Sequence, residues 1–129
     1  MNTHEHGKSQ TMPPYLFHLI ASAVDQSAII VPLSQSLPAT LAVLREDLTK
    51  HGKASKVMVF LPTARSTGLA AEVFRNIQGL PPIIEIHSRK SQAARSKAAE
   101  TFKNATSAIL LSSDVAARGM DFPGWVHQP

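Results

Sequence analysis

The sequence predicts an α/β domain, a parallel sheet with flanking helices. Short apolar runs alternate with segments whose apolar residues recur at helical spacing, from Ala28 to Leu111. One run, Val57-Met58-Val59-Phe60-Leu61, is apolar without a break, as expected of a strand covered on both faces. Another, Ala108 to Leu111, stops abruptly in Ser112, Ser113 and Asp114, with Arg118, Gly119 and Asp121 close behind. Open α/β sheets present ligand-binding groups in this way, at the carboxyl ends of their strands.

Composition narrows the class. The 129 residues suit one domain, and 43% hydrophobic with 17% charged residues describes a globular chain rather than a disordered one. The absence of cysteine excludes disulfides and thiolate metal sites and fits a reducing compartment. Thirteen Lys and Arg against nine Asp and Glu leave a net charge of +4, compatible with a polyanion partner without specifying one. The longest apolar stretch, Tyr15 to Val24, is too short to span a bilayer and contains His18, so no membrane partner is expected. Met1 to His6 has the features of neither a signal nor a transit peptide, so no targeting peptide is expected in this chain.

Taken in order, residues 1–24 read as an N-terminal tail or linker, polar up to Pro13-Pro14 and then apolar without a clean period. Ala28 to Val31 is a short strand candidate closed by Pro32. Leu37, Leu41, Leu44 and Leu48 form one helix face, with Ser36 and Pro38 at its start and Gly52 past its end. Val57 to Leu61 is the next strand. Leu69, Ala70, Val73, Phe74 and Ile77 mark the following helical face, stopped at Gly79. Ile83 to Ile86 is a strand, and Ala94, Ala98 and Phe102 mark the inner face of a helix from about Ser91 to Lys103. Ala108 to Leu111 is the last clear strand. Such alternation builds a parallel sheet through right-handed crossovers. The reading is of a domain over residues 25–124, incomplete at its C-terminus, with a divergent or truncated end at 125–129.

Parallel strands point their carboxyl ends to one edge, so the residues after Leu61, Ile86 and Leu111 should meet there. They include Thr63 and Arg65, then His87 to Gln92 with Arg95, then Ser112 to Asp121. Hydroxyls, helix N-termini and arginines together suit phosphate oxygens. The plain alternative is solvated loops with ordinary helix caps, and for Ser88 and Ser91 the two readings weigh equally. Arg89 to Lys103 holds five of the thirteen basic residues. Arg95 lies one turn into its helix, where with Gln92 it can reach a ligand, whereas Lys97 and Lys103 read as a solvated face.

These residues carry a resemblance. Val57 to Thr63 resembles motif IV of DEAD-box ATP-dependent RNA helicases. His87, with Gln92-Ala93-Ala94-Arg95 and Phe102-Lys103, resembles the family's histidine, QxxR and helix-end pattern. Ser113 to Asp121 resembles motif V nearly position for position. The match covers roughly Ala28 to Gly124 and implies the C-terminal, second RecA-like domain. Asp25-Gln26 and Phe122-Pro123-Gly124 resemble the mitochondrial subgroup, which implies an intracellular and optionally mitochondrial location.

The resemblance implies that Thr63, Arg95 and Ser113 bind successive phosphates of single-stranded RNA, with Arg65 and Gln92 beside them. It implies that Gly119 and Asp121 meet ATP, the Asp121 carboxylate at the ribose, and that Asp114 and Arg118 order their loop and face an N-terminal RecA-like domain. Phe60 is expected in the core, as a support for the site. ATP and Mg²⁺ are implied for the two-domain enzyme, which would couple hydrolysis to local unwinding of RNA duplexes.

The chain also departs from the family. Ser88 replaces a usual glycine, Ser113 a usual threonine, and residues 125–129 differ from the usual next strand. Nothing resembles motif VI, a GxxxxGK[ST] loop or a DEAD sequence, so no catalytic residue, metal site or hydrolysis is expected of this chain alone. The alternative reading is a non-catalytic RNA- or protein-binding module on the same half-fold.

Overall fold

The computed structural model describes residues 24–113. Three strands, β1 (Lys56–Leu61), β2 (Ile83–Ile86) and β3 (Ala108–Ser113), pair in parallel in the order β1-β3-β2. Three helices lie between and before them: α1 (Ser36–His51), α2 (Ala64–Arg75) and α3 (Gln92–Asn104). Single 3₁₀ turns at Leu33–Gln35 and Gly52–Ala54 flank α1.

The helix bounds follow from local chemistry. At α2, Thr63 Oγ1 accepts from Ser66 N–H at 3.0 Å and Ser66 Oγ accepts from Thr63 N–H at 3.1 Å, a reciprocal cap. At α3, Ser91 Oγ accepts from Ala94 N–H at 3.1 Å. Gly52 ends α1 at φ 53°, a left-handed conformation that glycine adopts without strain, and its N–H returns to Leu48 O. The α2 helix stops at Arg75, before Gly79, so Ile77 reaches the core from the connecting turn.

Alternation along the strands sorts the core onto two faces. Ile109 and Leu111 of β3 pack with Val57, Val59, Leu61 and Ile83 against Leu44 of α1 and Ala70, Ala71 and Phe74 of α2. Ala108 and Leu110 pack with Met58, Ile84 and Ile86 against Ala98, Ala99 and Phe102 of α3. All of β3 is buried, as a central strand with helices on both faces requires. Burial of Phe74 and of Phe102 contributes about 1.5–3 kcal/mol each, whereas the exposed Lys50–Glu46 pair is screened by solvent and adds little.

Four expectations are corrected. Ala28 to Val31 forms no strand; it pairs with no described residue, and Ile29 and Ile30 are exposed. Leu69 and Val73 of α2 are exposed, because the inner face of that helix runs through Thr67, Ala70, Ala71 and Phe74. Ala94 is exposed too, one turn before the part of α3 that reaches the sheet. Phe60 is 54% exposed rather than core. It lies near the end of β1, an outer strand of the three, where one flank has no neighbouring strand among the described residues, and with Leu33, Leu37 and Leu69 it lines an apolar groove.

Candidate nucleic-acid interface

Because the strands are parallel, Leu61, Ile86 and Ser113 all end at one edge of the sheet. The register sets Ser113 opposite Leu61 and Ser112 opposite both Phe60 and Ile86. Ser113 therefore stands two residues from Thr63 across the β1–β3 pair. The same edge carries the N-terminal ends of α2 and α3, both longer than two turns. Their first N–H groups and aligned peptide dipoles favour anions.

The five residues expected to contact RNA all fall within the described structure. Thr63 is exposed and caps α2, its hydroxyl engaged with Ser66, while its carbonyl accepts from Thr67 Oγ1 at 2.8 Å. Arg65 is exposed in the first turn of α2. Gln92 opens α3, exposed, with Nε2 3.5 Å from Ser96 Oγ. Arg95 is half-buried in the first turn of α3, and its backbone N–H donates to Ser91 O at 3.0 Å. Ser113 is 3% exposed.

Two of these five hold buried polar atoms without a hydrogen-bond partner among the described residues, Arg95 Nε and Ser113 Oγ. A buried polar atom left unpaired costs about 1–3 kcal/mol, so both atoms are unsatisfied at the edge where strands and helix starts converge. Asp114, Arg118, Gly119 and Asp121 lie outside the described residues. Among the described residues no group of three or more His, Cys, Asp or Glu side chains is placed to hold a metal. No described helix is long and apolar enough to cross a membrane.

Beside this edge lies a cluster that sequence reasoning missed. Glu85 of β2 accepts from Arg75 Nη1 at 2.9 Å and pairs with His87 Nε2 at 3.0 Å and Lys90 Nζ at 3.2 Å. Burial works to raise the Glu85 pKa, but the hydrogen bonds from Arg75, His87 and Lys90 together outweigh it and hold the carboxyl below its ordinary range. The available signal was a lone carboxylate in Ile83-Ile84-Glu85-Ile86, since a charge in an apolar strand needs partners.

The fold and this edge define a class: a parallel α/β domain that offers polar groups and two helix N-termini at its strand ends. Comparison with known proteins narrows it. Residues 39–127 match the family described as Helicase conserved C-terminal domain. The chain is 47% identical over 76 residues to the ATP-dependent RNA helicase cyt-19, mitochondrial, of Neurospora crassa, covering 56% of this chain and 12% of that protein. It is 41% identical over 102 residues to DEAD-box ATP-dependent RNA helicase 26 of rice, Oryza sativa, covering 79% and 18%. With the ATP-dependent RNA helicase dbp4 of Aspergillus fumigatus it shares 36% over 109 residues, covering 83% and 13%. A solved structure described as Mss116p DEAD-box helicase domain 2 bound to an RNA duplex superposes with a TM-score of 0.62 at 32% identity, over 70% of this chain and 36% of that one.

The chain belongs to the helicase conserved C-terminal domain family, as the second RecA-like domain of DEAD-box RNA helicases. It spans less than one fifth of the length of those curated relatives, between 12% and 18%.

Proposed function

We propose that this chain supplies the RNA-gripping half of an ATP-dependent RNA helicase. In this reading Thr63, Arg95 and Ser113 hold successive phosphates of one RNA strand, with Arg65 and Gln92 flanking them. Phosphate contacts carry no base identity, so binding is tolerant of sequence and weakened by salt. Asp121 and Gly119 serve ATP, and Asp114 and Arg118 face an N-terminal RecA-like domain. In the two-domain enzyme, ATP with Mg²⁺ would supply the phosphoryl-transfer chemistry that allows the domains to reset after local strand separation. The names of the relatives, ATP-dependent RNA helicases, support that assignment, and the 47% identical one supports a mitochondrial location.

The observation that carries the reading is the pair of buried atoms, Arg95 Nε and Ser113 Oγ, that find no hydrogen-bond partner among the described residues at the strand-end edge. Phosphate oxygens would accept from both. The test measures binding of labelled single-stranded RNA across a range of salt. Arg95→Ala should weaken binding equally for unrelated sequences and reduce the salt slope by about one. Unchanged affinity and slope would remove Arg95 from the site. ATP turnover should appear only when a first RecA-like domain is present, and turnover by the chain alone would overturn the division of labour.

A further inference from the structure

We propose that Glu85 and His87 are positioning residues for the phosphate-binding edge: they brace residues 87–91 against α2 and thereby set where α3 begins and where Arg95 is held. The inference rests on the reading of Arg95 as an RNA contact.

His87 is 6% exposed, and both of its ring nitrogens are engaged. Nδ1 accepts from Arg89 N–H at 3.3 Å, which leaves the ring proton on Nε2, donated to Glu85 Oε2 at 3.0 Å. The carbonyl of His87 accepts from Lys90 N–H at 3.0 Å, so residues 87–90 close into a turn around this one side chain. Ser91 follows as the cap of α3, and its carbonyl accepts from Arg95 N–H at 3.0 Å. On the other side, Glu85 is fixed by Arg75 from the last turn of α2, at 2.9 Å. Gly68 of α2 also packs here, its missing Cβ 3.9 Å from both Glu85 Oε2 and His87 Nε2. A series of short contacts thus runs from α2, whose cap is Thr63, to the backbone of Arg95. The brace ties the body of α2, the helix that Thr63 caps, to the start of α3, and small displacements of groups that hold a ligand are costly to function.

The alternative is a role in folding alone, and a double-mutant cycle separates the two. His87→Phe keeps an aromatic ring, somewhat larger than imidazole, and removes both hydrogen bonds. Glu85→Gln keeps the shape and removes the charge. Each should weaken single-stranded RNA binding about three- to tenfold in the native background and not further in the Arg95→Ala background, because coupled residues are non-additive. His87→Asn, whose side-chain oxygen can take the place of Nδ1, should recover most of the loss. Hydrogen exchange at the Arg89 amide, read without RNA, should accelerate in His87→Phe and not in His87→Asn. Equal losses in both backgrounds, or full affinity in His87→Phe and Glu85→Gln, would overturn the proposal while leaving Arg95 in the site. An Arg95→Ala chain that binds like the native one would instead remove the site reading, and the positioning role with it.

Discussion

Glu85 Oε2 and His87 Nε2 lie 3.0 Å apart on side chains two residues apart in sequence, which therefore leave the same side of the sheet. Ile83 shares that side and packs toward α2, while Ile84 and Ile86 face α3. One short strand thus divides its side chains between an apolar layer under α3 and a polar junction beside α2.

Thr63 has two assignments, helix cap and phosphate contact, which respond differently to substitution. Thr63→Ala should cost about 1 kcal/mol of stability through loss of the cap and should also weaken RNA binding. Thr63→Asp keeps a capping oxygen and complements the dipole of α2, so its melting temperature should stay near native while RNA binding falls through repulsion of phosphate. Native RNA affinity in Thr63→Asp would confine Thr63 to capping.

Ser113 presents a buried hydroxyl without a partner among the described residues. Removing it relieves an unsatisfied group, so Ser113→Ala should be neutral or up to about 1 kcal/mol more stable by urea denaturation, and weaker in RNA binding. A loss of stability beyond that of ordinary surface substitutions would show that the hydroxyl is satisfied in solution.

A Cβ added at Gly68 meets its neighbours at 3.9 Å, ordinary van der Waals contact. Helix propensity therefore decides the sign, and Gly68→Ala should stabilise the chain by about 1 kcal/mol. Gly68→Leu would drive its side chain into Glu85 and His87 and should destabilise it. Thermal melts of the two variants should move in opposite directions.

The Glu85 carboxyl is held below the ordinary glutamate pKa of 4.5 in the folded chain. Its contribution is complete above that value and is lost as the pH falls through the lowered folded pKa, because protonation then releases Arg75, His87 and Lys90. Urea midpoints of the native chain should fall more steeply below about pH 4.5 than those of Glu85→Gln. Parallel curves would show that the carboxyl titrates alike in both states.

Much of this was legible along the chain because it is local chemistry. The leucine spacing before Gly52 places α1, the unbroken run from Val57 places β1, and Ser91 places the start of α3 within a residue. The strand-end residues Thr63, Arg95 and Ser113 were also legible, since strand direction alone sends them to one edge. The exposure of Leu69 and Phe60 was not, because hydrophobicity states what a side chain prefers and only neighbouring elements state whether cover exists. Ala28 to Val31 failed for a related reason: a strand is defined by its partner, and no described residue pairs with it.

The sequence by itself determined the types of the helices and strands from α1 onward, the parallel direction and the residues delivered to the strand ends, which rest largely on spacings of a few residues. Only the tertiary structure decided that β3 lies between β1 and β2, that Arg95 Nε and Ser113 Oγ are buried without partners among the described residues, and that Arg75, Glu85 and His87 meet. Those facts arise from pairing and packing between segments far apart along the chain, where many arrangements satisfy the same local pattern and the burial of both sheet faces selects one.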